Sequence, residues 1–414
     1  MKECFPRIGV LTVGDELLSC ETLDTNVRFI ASSLGEAGFV VSRHVTVPDN
    51  VEDISREVRA LSHVCEAVIV TGGLGPTSDD LTRESISSAV GKELVFHPSL
   101  KDGLERFFKR LGRPMAKENL SQAYLPQGAV VIPPAGGTAP GFMIARGAAL
   151  IVALPGVPKE MQSMLATHVM PELARRFPTA ELSVTRRIMT FGMGESDVAG
   201  VVADLIDAGS VKYGFLATEG VVVVKLTARG ADAKCANAML DVEQAMVAER
   251  LGNLIFAVGD RSMEDATGEL LRERALTIAT AESVTAGMVS SRIANTPGSS
   301  AYLRGGVVAY SADEKTRLLN VPANLLADGA VSEDVAEAMA HGARALFDSD
   351  LAIATTGIAG PGSLRENKPV GTVVIALAHE KGVLSQTYLL PGDRMRIRNV
   401  ATLAALNMVR LHLA

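Results

Sequence analysis

Over about residues 5 to 170, apolar positions alternate between short continuous runs and runs spaced three and four apart. Ile8–Val13, Phe39–Val45, Ala67–Val70 and Ala148–Leu154 read as strands, and Thr25–Ala37, Val51–Cys65, Leu81–Val90 and Pro158–Met170 as helices. Strands alternating with helices predict a parallel sheet covered on both faces. From about 178 to 253 the order changes to strand Ser183–Phe191, helix Glu195–Ile206, strands Val211–Thr218 and Val221–Ala228, and helix Ala233–Leu251. That β-α-β-β-α order predicts a small split βαβ domain with its helices on one face. After a turn at Gly259–Asp260 the alternation resumes, with helix Met263–Arg274 and strand Leu276–Ala281, then a turn and a helix through Ile293. Strands Gly305–Tyr310, Leu351–Thr355, Val370–Ala378 and Val383–Leu390 follow, with helices Ser332–Phe347 and Arg394–Leu411. Ser332 is a suitable N-cap for the first of these helices, with two acids in its first turn.

The expected fold class is therefore α/β: two α/β sandwich domains, residues 1–172 and 256–414, joined by a small α+β domain over 173–255. No internal repeat relates the two sandwiches.

Composition narrows the function classes. A net charge of −7, no tryptophan and only 4% aromatic residues argue against a general nucleic-acid or membrane-surface binder. Cys4, Cys20, Cys65 and Cys235 form no Cys-x-x-Cys pair, which fits incidental thiols in a reducing compartment. The histidines show no metal-ligand spacing. The N-terminus lacks the apolar core of a signal peptide, and no run of about 20 apolar residues suggests a membrane span. A cytoplasmic protein is expected.

Candidate chemistry in the first block sits just past strand ends. Gly14-Asp15-Glu16 follows the first strand, and Asp24-Thr25-Asn26 opens the next helix. Thr71-Gly72-Gly73-Leu74-Gly75-Pro76-Thr77-Ser78-Asp79-Asp80 lies between a buried strand and a helix. Gly137-Thr138-Ala139-Pro140-Gly141 and Leu154-Pro155-Gly156-Val157-Pro158 complete the set. Glycine-rich strand-to-helix turns let backbone N–H groups approach phosphate oxygens, and neighbouring acids suit a hard divalent cation. Taken singly, Gly72-Gly73 reads equally as a tight turn and Asp80 as an N-cap. Ligands bind beyond the carboxyl ends of parallel strands, so all of them on one sheet edge favours a site.

These motifs resemble the molybdopterin-binding (MoaB-like) fold, in the branch found at the N-terminus of CinA proteins. The resemblance implies an ADP-ribose pyrophosphatase that depends on a divalent metal such as Mg²⁺ and yields AMP and ribose 5-phosphate. It makes Asp15, Glu16, Asp24, Asp79 and Asp80 candidate metal contacts. Asn26, Gly72, Gly73, Gly75 and Thr77 become candidate substrate contacts. Lys117, Asn119 and Gln122 also match, with Lys117 read either as an offset to diphosphate charge or as part of a solvated helix face. An adenylyltransferase of the molybdopterin type is the alternative for this block.

In the third block, Ala281-Glu282-Ser283-Val284-Thr285-Ala286-Gly287 forms a strand-to-helix turn that would expose a hydroxyl. Serine needs an adjacent base. No histidine lies in a matching motif, and Lys315 in Tyr310-Ser311-Ala312-Asp313-Glu314-Lys315 is the candidate, since a partly desolvated lysine can act as base. The competing reading is Ser283 as a helix cap and Lys315 on a solvated helix. Thr355-Thr356-Gly357-Ile358-Ala359-Gly360-Pro361-Gly362 and Pro391-Gly392-Asp393-Arg394 add a glycine-lined pocket with hydroxyls and an arginine able to grip phosphate.

Residues 256–414 resemble the CinA C-terminal domain, a nicotinamide-mononucleotide deamidase without a cofactor. The resemblance implies Ser283 and Lys315 as the reactive pair, with Tyr310, Thr356, Gly357 and Arg394 contacting a nucleotide substrate, and a homodimer. The family pattern Glu-Ser-Cys-Thr-Gly-Gly is altered here by Val284 and Ala286. Ser363-Leu364-Arg365 replaces a glycine-rich run, and Asp328 stands where histidine is common. The middle block is KH-like in topology, but Gly192-Met193-Gly194-Glu195 lacks the basic Gly-x-x-Gly clamp, so nucleic acid is not an expected partner. A non-catalytic regulatory protein of competence or DNA damage is the rival class.

Overall fold

The computed structural model describes residues 6–177, 182–327, 329–362 and 368–414. They form two compact units, one of Met1–Val184 with Arg229–Ala236, the other of Thr185–Ala228 with Asn237–Ala414.

In the first unit a six-stranded sheet runs in the order Val40–Val47, Arg7–Val13, Ala67–Thr71, Ala149–Leu154, Gly141–Arg146, Val130–Ile132. Neighbouring residues of one strand bury on opposite faces, as a period of two requires. Ile8, Val10, Ile69 and Val152 pack with Ile30, Leu34 and Met161 on one side. Leu11, Val68, Val70 and Ile151 pack with Ile54, Val58 and Ile86 on the other. The first four strands are parallel, as expected. The last two are antiparallel, because only two residues, Gly147 and Ala148, separate Gly141–Arg146 from Ala149–Leu154. So short a link makes a hairpin, whereas a parallel crossover needs a dozen residues or so. The helix Pro98–Arg110 and the ribbon of Leu94–Phe96 with Tyr124–Pro126 occupy sequence that the hydrophobic pattern left unassigned.

In the second unit a four-stranded sheet has the order Lys212–Thr218, Val221–Gly230, Leu182–Phe191, Ile255–Val258. This is the small KH-like α+β region. Its expected helix over 195–206 is two short helices, Glu195–Val201 and Ala203–Ala208. A five-stranded sheet follows, ordered Leu303–Val308, Ile278–Glu282, Leu351–Gly357, Thr372–His379, Gly382–Leu389. The first three strands are parallel and the last two antiparallel. One face of this sheet is alanine-rich: Ala279, Ala281, Ala352, Ala354 and Ala376 pack against Val335, Ala336, Met339 and Ala340 of the helix Glu333–Phe347. Small side chains on both partners let that helix lie close to the sheet. The other face carries Ile278, Ile353, Ile375 and Leu377 against Leu271, Val289, Ala405 and Leu406.

Candidate functional site

The parallel strands of the five-stranded sheet end level, with Glu282 opposite Val308 on one side and Thr355 on the other. Ser283 follows the central strand by one residue, Tyr310 follows its neighbour by two, and Thr356-Gly357 closes the third. Their side chains and turns enclose a cavity of about 440 Å³. It is lined by Ser283, Tyr310, Lys315, Thr356, Gly357 and Arg394, which are the residues expected there.

Lys315 is not a solvated lysine; it is 1% exposed. Its Nζ donates to Ser283 Oγ at 3.0 Å, to the Ala309 carbonyl at 3.0 Å and to the Tyr310 carbonyl at 3.2 Å. Nor is Ser283 a helix cap, because the next helix begins at Met288 with Gly287 as its N-cap. Two N–H groups point to backbone carbonyls, and a third direction on the amine nitrogen runs to Ser283. In the neutral amine that direction is a lone pair, which is the geometry of a general base. The Ser283 N–H is itself held by the Thr355 carbonyl at 2.9 Å.

The turn that presents Ser283 is braced by two residues whose roles the sequence did not disclose. Glu282 is 1% exposed, and its carboxylate collects the turn's donors. Oε2 accepts from Thr285 Oγ1 at 2.7 Å and from the N–H groups of Gly287 and Val289 at 2.8 and 3.0 Å. Oε1 accepts from the N–H and hydroxyl of Ser290 at 2.8 and 2.7 Å. A carboxylate at the start of the helix Met288–Asn295 also complements the helix dipole. From the other side Arg398 donates to the carbonyls of Val284 and Thr285 at 3.1 and 2.9 Å. A strand-end acid followed by glycine turns was the only sequence signal for Glu282. For Arg398, some 115 residues along the chain, there was none.

Arg394 donates through Nη1 to the Gly360 carbonyl at 2.6 Å and through Nη2 to the Tyr310 hydroxyl at 2.9 Å, tying two walls of the cavity together. Thr356 Oγ1 donates to the Ala330 carbonyl at 2.7 Å, leaving its oxygen lone pairs to accept. Val284, in place of the family's cysteine, is 5% exposed and belongs to the apolar cluster with Val289 and Ile397. Ala286 takes a left-handed φ of 49°, where the family's glycine would be unstrained. Asp328 and Ser363-Leu364-Arg365 lie outside the described residues.

The first unit has its own cavity past the carboxyl ends of its parallel strands, about 680 Å³ in volume. Gly72, Gly73 and Gly75 line it with Asn26, Asp24, Glu16, Asp79 and Asp80. Glycine is required at position 72: φ is 108°, and a Cβ there would stand 2.3 Å from the Val13 carbonyl oxygen. Asp80 closes the loop rather than capping a helix. Its Oδ1 accepts the Gly75 N–H at 2.7 Å, and its Oδ2 accepts the Thr77 N–H at 2.8 Å and hydroxyl at 2.5 Å. Buried Arg83 holds the same loop through the carbonyls of Leu74 and Gly75 at 2.7 and 3.0 Å. Asn26 Nδ2 binds the Gly156 carbonyl at 2.8 Å and Thr71 Oγ1 at 3.3 Å, so one side chain joins three of the sequence motifs.

Three expected residues lie apart from this cavity. Lys117 is exposed at the start of the 3₁₀ segment Lys117–Ala123 and does not line it. Thr77 faces Asp80, and Asp15 sits on the rim with its N–H on Asp49 Oδ2 at 3.0 Å. The sequence missed Asp49 and Glu160, both of which line the cavity. Burial raises the Asp49 carboxyl above its ordinary range, and the charges of Asp15, Glu16 and Asp79 raise it further, against the lowering by the Asp15 N–H. Burial also raises Glu160.

Six acids line this cavity (Glu16, Asp24, Asp49, Asp79, Asp80 and Glu160), and no Lys, Arg or His does so among the described residues. Asn26 Oδ1 is buried without a hydrogen-bond partner, and so is Asp24 Oδ2, whose one charged neighbour in an ion-pair contact is His44 Nε2 at 3.7 Å. Crowded carboxylates and orphaned oxygens fit a hard divalent cation. Among the described residues no three acids, histidines or cysteines gather into a cage. A cation here would therefore share its ligands between one or two carboxylates and substrate phosphate, the usual Mg²⁺ arrangement.

Comparison with known proteins covers the whole chain. Family models match as a probable molybdopterin binding domain over residues 9–175, the damage-inducible protein CinA KH domain over 185–257, and the CinA C-terminal domain over 260–413. A CinA-like protein of Geobacter sulfurreducens is 43% identical over 409 residues, covering 98% of this chain and 99% of its own. One from Frankia casuarinae is 39% identical, covering 99% of this chain and 96% of its own. A solved structure of CinA from Thermoplasma acidophilum is 34% identical, covers 41% of this chain and 97% of its own, and has a TM-score of 0.37. With the glycine-lined cavities and the Ser283 turn in place, relatives matched end to end decide the assignment: the chain belongs to the CinA family.

Proposed function

We propose that the second unit deamidates nicotinamide mononucleotide to nicotinic acid mononucleotide and ammonia. The observation that carries this reading is the buried contact of 3.0 Å between Lys315 Nζ and Ser283 Oγ. Ser283 Oγ attacks the amide carbon while its proton passes to the Lys315 amine. Lys315 returns that proton to the departing nitrogen, and ammonia leaves an acyl ester on Ser283. Water then adds to the ester carbon, gives a proton through Lys315 to Ser283 Oγ, and releases the carboxylic acid. Arg394 and the Tyr310 hydroxyl, 2.9 Å apart, form the polar end that suits the phosphate. Thr356 and the glycine turn wall the head group. The test is ammonia release from nicotinamide mononucleotide by wild type, Ser283→Ala and Lys315→Ala. An inactive wild type refutes the substrate, and full activity in Ser283→Ala refutes the pair.

For the first unit we propose hydrolysis of ADP-ribose to AMP and ribose 5-phosphate, one water adding across the diphosphate P–O bond. One or two carboxylates among Glu16, Asp49 and Asp79 would hold the divalent cation, which when bound supplies positive charge to the diphosphate and acidifies water. The chain's own part is to present backbone N–H groups from the glycine loop and to keep that loop closed through Asp80 and Arg83. The Glu160 carboxyl faces the same cavity and is placed to exchange a proton there. Cleavage that persists in excess chelator refutes the metal.

A further inference from the structure

Helix Pro98–Arg110 carries none of the sequence motifs, yet it walls a second cavity of about 840 Å³. This is within the range of about 300–1,000 Å³ usual for small-molecule sites. The cavity's apolar side is Leu104, Phe107, Val131, Pro134 and Pro140. Arg106, Lys109 and Arg110 bring three positive charges to it from one face of the helix, at spacings of three and four. No hydrogen bond or ion pair within the chain occupies any of the three among the described residues. The Arg110 guanidinium instead lies 5.8 Å from the centre of the Phe107 ring.

This cavity adjoins the glycine-lined one: Phe107, Gln122, Gly137 and Thr138 line both. Gln122 is fully buried, spends its Nε2 on the Leu74 carbonyl at 3.3 Å, and leaves Oε1 without a donor. The two compartments are complementary. One has six acids and no cation, and its neighbour has three cations beside an apolar wall and an aromatic ring.

We propose that the second cavity is the base compartment of the first unit's substrate site. It takes the aromatic base of a nucleoside diphosphate against Phe107 and the prolines. Arg106, Lys109 and Arg110 receive phosphate charge that the acid-lined cavity cannot. The diphosphate then spans the shared wall at Gly137-Thr138, and its far end lies over the glycine loop. Aromatic bases stack on such a ring, and Arg pairs with phosphate. This inference rests on the diphosphate-cleavage reading of the adjoining cavity.

The test is calorimetric titration of the full chain with AMP in the presence of chelator. AMP offers a base and one phosphate but no diphosphate bond. It is compared with ribose 5-phosphate, and for wild type, Phe107→Ala and the triple variant Arg106→Ala/Lys109→Ala/Arg110→Ala, with thermal melts confirming the fold. Expected is AMP binding that weakens tenfold or more in both variants. Phe107→Ala should leave ribose 5-phosphate unchanged. AMP binding that is absent in wild type, or equal in all three proteins, overturns the compartment. Magnesium-dependent ADP-ribose cleavage, measured alongside, separates the two readings. Cleavage with unaltered KM in both variants keeps the cleavage reading and removes the compartment. AMP binding with the expected losses but no cleavage by wild type keeps the compartment and removes the cleavage reading.

Discussion

The glycine-lined cavity of the first unit and the Ser283 cavity of the second occupy equivalent places, each beyond the carboxyl ends of parallel strands. They treat charge in opposite ways. The Ser283 cavity is lined by two basic side chains, Lys315 and Arg394, and by no acid among the described residues. Glu282, the acid beside Ser283, is turned into the fold and saturated with hydrogen bonds. The glycine-lined cavity is lined by six acids and, among the described residues, by no Lys, Arg or His. On the proposed readings an anionic nucleotide would enter the Ser283 cavity unaided, whereas in the glycine-lined cavity its phosphates would meet like charge unless a cation or the neighbouring basic cavity offset it. Two cavities placed alike at the ends of parallel strands therefore differ in which sign of charge their turns present.

Five experiments test this contrast. The largest effect is expected from Lys315→Ala or Ser283→Ala, which should lower ammonia release by about 10³-fold or more. In wild type a chelator should abolish ADP-ribose cleavage and leave ammonia release intact. Equal inhibition of both would erase the distinction between the cavities. Next is Glu282→Ala, which strands several buried donors and should cost roughly 3 kcal/mol in urea unfolding of the second unit. A wild-type unfolding midpoint would show that the turn does not depend on this carboxylate. Arg394→Lys keeps the charge but loses the fork between Gly360 and Tyr310. KM for the mononucleotide should rise about tenfold, worth about 1.4 kcal/mol, with kcat little changed. A fall in kcat alone would move Arg394 from binding to chemistry. The smallest effect is expected from Ala286→Gly, which relieves a left-handed φ of 49° and should stabilise the fold by about 1 kcal/mol in thermal melts. A lower melting temperature would mean that the alanine side chain packs usefully.

Much of the second site was legible because its residues follow strands one after another. Ser283, Tyr310 and Thr356 each sit within two residues of a strand end. Once parallel pairing is expected, the residues after those strands must meet. The rest was hidden for a definite reason. Asp49 lies in a bend and Glu160 in the first turn of the helix Pro158–Met164, neither at a recognisable spacing to the glycine motif, and only the sheet order Val40–Val47, Arg7–Val13, Ala67–Thr71, Ala149–Leu154 brings them to one edge. Lys117 showed the converse: its motif neighbour Gln122 turns inward to the cavity wall while Lys117 faces solvent, since a 3₁₀ segment of seven residues has both an inner and an outer side. Arg398 reaches the Ser283 turn because the helix Arg394–Leu413 packs on the sheet face beneath it, a contact no local pattern encodes.

By itself the amino-acid sequence determined the alternation of strands and helices, the glycine turns, and the presence of a serine and a lysine near neighbouring strand ends. Periodicity and backbone permissiveness are local properties, carried by each residue and its near neighbours. Tertiary structure decided the state of those groups. It buried Lys315 with two carbonyls and one hydroxyl as partners, turned Glu282 inward, and left six acids facing one cavity with three cations facing the next. Whether a charge is solvated, paired or crowded depends on the distance to every other charge, and that is fixed only when distant segments pack.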